Sequence, residues 1–118
     1  MALFGKKSKE TTATTGGKSN LKITTSKDGA EYTFTLEGRL DTITAPDLEG
    51  KINEAVEDAD KLILDLAKLE YISSAGLRVL LSAAKAMDDN GEMVVTNVRP
   101  EVMDVFEVTG FTDFLNIE

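Results

Sequence analysis

The stretch "LILDLAKLEYISSAGLRVLLSAAKAM", residues 62–87, does most to limit what this chain can become. Its first part places Leu62, Ile63, Leu64 and Leu66 in a short continuous apolar run, the pattern of a central strand covered on both faces. Its second part spaces Leu77, Leu80, Leu81 and Ala84 along one side of a helix. A strand that passes so directly into a helix must return to a neighbouring parallel strand through a right-handed crossover, and "EMVVT" at 92–96 supplies that strand.

The remaining elements group around this unit. Leu21, Ile23 and Thr25 alternate, Asp28-Gly29 gives a hairpin signal, and Tyr32, Phe34 and Leu36 alternate on the return. "GRLD" extends that strand. A first helix follows, with Thr44 as its expected N-cap, Pro46 in its first turn, and Leu48, Ile52, Ala55, Val56 and Ala59 on one face. A helix near the C-terminus has Pro100 in its first turn, Val102, Val105, Phe106 and Thr109 inward, and Gly110 as its stop. The class is α/β: a single domain over 21–118 with a mixed four- to five-stranded sheet packed with helices. Residues 1–20, rich in Thr, Gly, Ser and Lys without an apolar period, read as a flexible polar and basic tail.

What the chain lacks excludes several chemistries. With no cysteine and no histidine, it has no thiolate nucleophile, no Cys/His zinc site and no histidine base. No apolar run reaches the roughly 20 residues of a membrane span, so the expected location is the cytoplasm and no membrane contact is expected. Residues 1–20 hold Lys6, Lys7, Lys9 and Lys18 against Glu10, a net +3 that leaves −11 on the remainder of a chain of net charge −8. Such a body repels phosphate backbones, which argues against a nucleic-acid partner, and it favours encounter with a basic protein. No phosphate-binding glycine loop is present and no cofactor is expected. The carboxylates available to a small enzyme are Asp41 and Asp65. Asp41 reads equally as a strand-end or turn carboxylate, and Asp65, which interrupts an apolar strand, as a group satisfying a neighbouring backbone amide.

The joint at 72–76 is the candidate working site. Loops that leave the carboxyl ends of parallel strands and open onto helix N-termini gather ligands and modifications, because orphan N–H groups and the helix dipole favour an anion there. Ser73 and Ser74 admit two readings: helix caps, each such cap being worth about 1 kcal/mol, or acceptors of a phosphoryl group.

Three further stretches bear on that choice. "GRLDTITAPDLEGKINEAV", "LDLAKLEYISSAGL" and "VTGFTDFLNI" together resemble the STAS domain of bacterial anti-sigma factor antagonists, over residues 21–118. The resemblance implies a binding module without catalysis of its own. Such proteins bind an anti-sigma factor, often one that is also a serine protein kinase, and so release a sigma factor. Phosphorylation of a serine in the loop abolishes binding and a phosphatase restores it. The family's D-S-S-G-L pattern falls here on Ser73, Ser74, Ala75, Gly76 and Leu77, so the position of the usual acceptor serine holds Ala75. Ser74 becomes the phosphorylation candidate, with Ser73 behind it. The partner-binding surface implied is Asp41 and Thr42 in one loop, with Ile72, Ser73, Ser74, Ala75, Gly76 and Arg78 in the other. A STAS module serving transport or a stressosome-like assembly, without phosphorylation, is the alternative.

Overall fold

The computed structural model describes residues 9–15 and 20–118. Strands β1 (Lys9–Thr15), β2 (Leu21–Asp28), β3 (Glu31–Leu40), β4 (Lys61–Ile72) and β5 (Glu92–Thr96) lie in that order across one sheet. The first three are antiparallel neighbours, whereas β3, β4 and β5 are parallel. Helices α1 (Ala45–Val56) and α2 (Ser74–Asn90) make the two crossovers, and α3 (Pro100–Thr109) follows β5.

Alternation decides which face of the sheet is covered. Leu21 and Ile23, then Tyr32, Phe34 and Leu36, then Leu62, Leu64 and Leu66 point into one core, which also takes Leu48 and Ile52 from α1, Leu80 from α2 and Phe106 from α3. Ile63 and Asp65, on the opposite face of β4, are only half-buried. The expectation of a strand covered on both faces therefore fails at Ile63: side chains of all three helices enter the one core. The hairpin turns at Gly29-Ala30, where Gly29 has φ 65° and Ala30 an ordinary φ, as a two-residue turn matched to strand twist requires.

Two irregularities at the end of β4 aim the site. Thr35 pairs with Asp65 but Glu37 with Lys68, and Gly38 pairs with Leu69 but Arg39 with Tyr71, so β4 carries an extra residue at each step. Each bulge flips the strand's alternation, which spaces its buried side chains as Leu66, Leu69 and Ile72. The Asp65 carboxylate accepts the Ala67 N–H at 3.1 Å in the first bulge and also the Asn97 side-chain amide at 3.1 Å, which is the structural reading of that residue. Leu40 and Ile72 thus end their strands side by side, both pointing inward, and the Ser73 N–H closes the pair on the Leu40 carbonyl at 2.8 Å.

Several sequence expectations need correction. Lys9–Thr15, placed within the tail, pairs with β2 along its full length; its threonines carry high strand propensity, and β2 otherwise leaves a row of backbone groups unpaired at the sheet edge. Residues 1–8 and 16–19 lie outside those described. In α2 the buried set is Leu77, Val79, Leu80, Ala83 and Met87, whereas Leu81 and Ala84 are half-buried. That face is broader than expected because α2 packs on both α1 and the sheet. Thr109 is exposed, its hydroxyl donating to the Val105 carbonyl at 2.7 Å within α3.

Candidate partner-binding site

The carboxyl ends of β3 and β4 open into two adjacent loops, and α1 and α2 start from them. Asp41 shapes the first. Its Oδ1 accepts the N–H groups of Ile43 and Thr44, each at 3.0 Å, folding the chain into a tight turn before α1. The Thr44 N–H is the main reason the Asp41 carboxyl is held below the usual aspartate value; desolvation opposes it, and the Ile43 N–H, the Thr44 hydroxyl and the charge of Arg39 lower it further. Thr44 stands at the N-cap position as expected, but its hydroxyl does not cap the helix. It accepts the Asp41 N–H at 2.8 Å and donates to the Arg39 carbonyl at 2.9 Å, pinning the end of β3 to the start of α1. With its hydroxyl so engaged, Thr44 is 1% exposed.

Ser73 is the residue that caps α2. It is extended, with φ −97° and ψ 175°, and its Oγ accepts the Gly76 N–H at 3.3 Å. Ser74 is the first helical residue, and its side chain is exposed. Of the two serines, the cap belongs to Ser73. Gly76 is where the helix touches the strands. A Cβ there would stand 2.7 Å from Leu40 Cγ and 2.9 Å from Ile72 Cγ1, so only hydrogen lets α2 begin this close to the sheet.

Of the surface residues expected from sequence, Asp41, Thr42, Ser73, Ser74, Ala75 and Arg78 are exposed or half-buried around the two loops. Ile72 and Gly76 are buried, and they support the surface from beneath instead of forming part of it. The reason is the second bulge, which turns Ile72 inward to meet Leu40. Thr42, Ala45, Pro46 and Glu49 of the first loop and α1 face Ala75, Arg78, Val79 and Ser82 of α2 across a groove of about 190 Å³.

Sequence reasoning missed three residues at this end. Ile43, at the tip of the first loop, is 75% exposed, and Tyr71, one residue before the end of β4, is 40% exposed. The guanidinium carbon of Arg39 sits 4.1 Å from the centre of the Tyr71 ring, a cation–π pair across the two parallel strands. In a linear reading Ile43 and Tyr71 look like any other apolar residue beside a strand. Only the bulges and the Asp41 turn put them outside.

Charge is distributed along the strand axis. Arg39, Arg78 and Arg99, all the arginines of the chain, lie at the carboxyl ends of the parallel strands or in the helix starts beyond them. The N-termini of α1 and α2 point the same way. At the other end, exposed Asp28, Glu31, Asp58, Asp60, Asp88 and Glu92 surround the C-termini of α1 and α2, whose last turns carry no basic residue. Carboxylates are not confined to that end: Glu37, Asp41, Asp47, Glu49 and Glu70 stand beside the arginines where the helices start.

The described residues hold no group of three or more carboxylates placed to bind a metal ion, and no helix among them is long and apolar enough to cross a membrane.

This arrangement can be compared with known proteins. A relative from Bordetella bronchiseptica, BtrV, a candidate anti-sigma factor antagonist, is 38% identical over 93 residues, 77% of this chain and 80% of its own. An anti-sigma-B factor antagonist of Listeria monocytogenes is 31% identical over 87 residues, 69% of this chain and 73% of its own. The crystal structure of an anti-sigma factor antagonist from Mycobacterium paratuberculosis shares the fold, with a TM-score of 0.70 at 23% identity over 93% of this chain and 85% of that one. The family model for the STAS domain matches residues 22–118, from the second residue of β2 to the last of the chain. With the sheet order, the crossovers and that match in agreement, the chain belongs to the STAS domain family.

Proposed function

We propose that this protein is an anti-sigma factor antagonist: it binds an anti-sigma factor through the surface at the ends of β3 and β4 and so frees a sigma factor for transcription. The observation that carries the reading is the exposed patch of Ile43, Tyr71 with Arg39, and Ser74 at the end of the sheet that also carries a groove between two helix starts. An apolar residue as exposed as Ile43 on a loop held rigid by Asp41 and Thr44 is a suitable anchor, because little ordering entropy is lost on binding. The names of the Bordetella and Listeria relatives support the same role. The protein acts as a binding module in the cytoplasm and performs no catalysis.

Ser74 is the regulatory position in this reading. A serine kinase, which the anti-sigma factor itself supplies, transfers the γ-phosphoryl group of ATP. The bond from Ser74 Oγ to phosphorus forms, the bond to ADP breaks, and the hydroxyl proton leaves to the kinase's base. A phosphatase reverses the state by hydrolysis. The added charge, about −1.5 to −2, falls in the middle of the contact surface and weakens binding. Ser73 is a poorer acceptor, since its oxygen is engaged with the Gly76 N–H.

The test begins with affinity capture from the native cytoplasm and identification of the partner by mass spectrometry. Binding of the recovered anti-sigma factor is then measured for Ser74→Asp, Ser74→Ala and Ile43→Asp. Loss of at least tenfold in affinity for Ser74→Asp and Ile43→Asp, with Ser74→Ala unchanged, is the expected result. Recovery of transporter subunits in place of an anti-sigma factor, or equal binding by all variants, overturns the proposal.

A further inference from the structure

Ser74, Arg78 and Ser82 are spaced four residues apart on α2, and all three are exposed. Side chains four apart on a helix lie one above the other, within reach of one another. Arg78 and Ser82 also line the groove toward α1; Ser74 is not among the residues that line it. Among the described residues Arg78 has no carboxylate within ion-pairing distance; the ion pair found there is Arg99 with Glu101, at 3.2 Å. Arg78 is therefore an uncommitted cation at the edge of the groove, one turn from the serine that the reading above makes regulatory.

We infer that Arg78 is the receiver of a phosphoryl group on Ser74, and that modification draws its guanidinium out of the groove and onto the phosphate. The inference rests on Ser74 being phosphorylated, as proposed above, and adds what the phosphate does to this particular surface. A guanidinium presents paired N–H donors that match phosphate oxygens, which a lysine at this position would not. The Ser74 position, at the start of α2, adds the favourable end of the helix dipole. Modification then has two effects on a partner: it adds charge beside the groove, and it removes a donor from it.

Charged groups stand at this end on each neighbouring element, with Glu70 exposed near the end of β4. Arg78 lies on the same helix, Glu49 faces the groove from α1, and Asp41 and Arg39 stand at the end of β3. Asp41 is held in its turn by the Ile43 and Thr44 N–H groups and stays where it is.

The experiment uses the full chain with phosphoserine incorporated at position 74, and follows the second ionisation of the phosphate by ³¹P NMR. With Arg78 in place, that ionisation falls below the ordinary value near 6. Arg78→Gln moves it up by about 0.2–0.4 pH unit, as expected for loss of a one-turn ion pair, and Arg78→Lys recovers part of the difference. Glu49→Gln is the control for general charge effects; it shifts the titration less than Arg78→Gln does. A titration that Arg78→Gln leaves unmoved overturns the inference. If the titration depends on Arg78 but the phosphoprotein still binds the anti-sigma factor at full affinity, the contact is supported and the regulatory role proposed for Ser74 falls.

Discussion

The same chemical change, glycine to alanine inside a helix, should have opposite signs at two positions of this protein. At Gly50, in the exposed middle of α1, a new Cβ meets nothing within 4 Å. Alanine there gains helix propensity and restricts the unfolded chain, a stabilisation of about 0.5–1 kcal/mol. At Gly76 the same methyl group is placed 2.7 Å from Leu40 Cγ and 2.9 Å from Ile72 Cγ1, well inside ordinary carbon contact. Leu40 is 0% exposed and Ile72 3%, so neither has free space to withdraw into and α2 must lift from the strand ends. Overpacking of this kind costs about 1–3 kcal/mol, and the propensity gain returns less than 1, leaving a net loss of about 1–2 kcal/mol. Thermal and urea unfolding of both variants read the difference directly. For a domain of this size, each kcal/mol corresponds to a change of about 4–8 °C in Tm. Gly76→Ala should therefore melt below the parent while Gly50→Ala melts above it. If Gly76→Ala proves as stable as Gly50→Ala, the close approach of α2 to the strand ends does not exist and the geometry drawn for the site is wrong.

Other consequences follow from the same loops. Ser73→Ala should cost about 1 kcal/mol in urea unfolding through loss of the Gly76 N–H acceptor, whereas Ser74→Ala, exposed at the next residue, should stay within about 0.5 kcal/mol of the parent. Asp41→Ala should lower stability at pH 7 by breaking the turn before α1. Because the Asp41 carboxyl is lowered in the folded protein, its contribution is fully present above the unfolded value near 3.9 and fades as pH falls through the folded one. The gap between parent and variant in unfolding curves should accordingly narrow below about pH 4; a gap that persists at the lowest pH where the protein folds would refute the assignment. Truncating Phe106, 0% exposed in α3, to alanine should cost about 3–5 kcal/mol in the same measurement, placing α3 firmly in the shared core.

Much of this molecule is legible in a linear reading because its signals are local. The period-two alternation from Leu21 to Leu36, the glycine of the Gly29-Ala30 turn and the prolines in the first turns of α1 and α3 each fix their own element. The order of those elements then leaves little choice of topology. What escapes is set by contacts between elements. Thr44 looks like a cap, but Asp41 holds the turn and draws the Thr44 hydroxyl back toward β3. The bulges in β4 follow from its pairing with the shorter β3 and leave no periodic trace, so the inward turn of Ile72 and the exposure of Tyr71 are invisible beforehand. Lys9–Thr15 carries no apolar pattern to announce a strand, and its pairing depends on the open edge of β2. Of the candidate site, the two serines and the neighbouring Asp41 loop could be found; that Ser73 and not Ser74 caps α2, and that Ile43 beside them is exposed, could not.

All three arginines stand at the end of the sheet from which the helices start, but so do Glu37, Asp41, Asp47, Glu49 and Glu70. That end therefore offers both signs of charge at close quarters, and a partner docking there meets individual groups before it meets a net charge of −8. Reversing a single charge, as in Arg78→Glu or Glu49→Lys, should then change the rate of association in opposite directions although both groups border one groove.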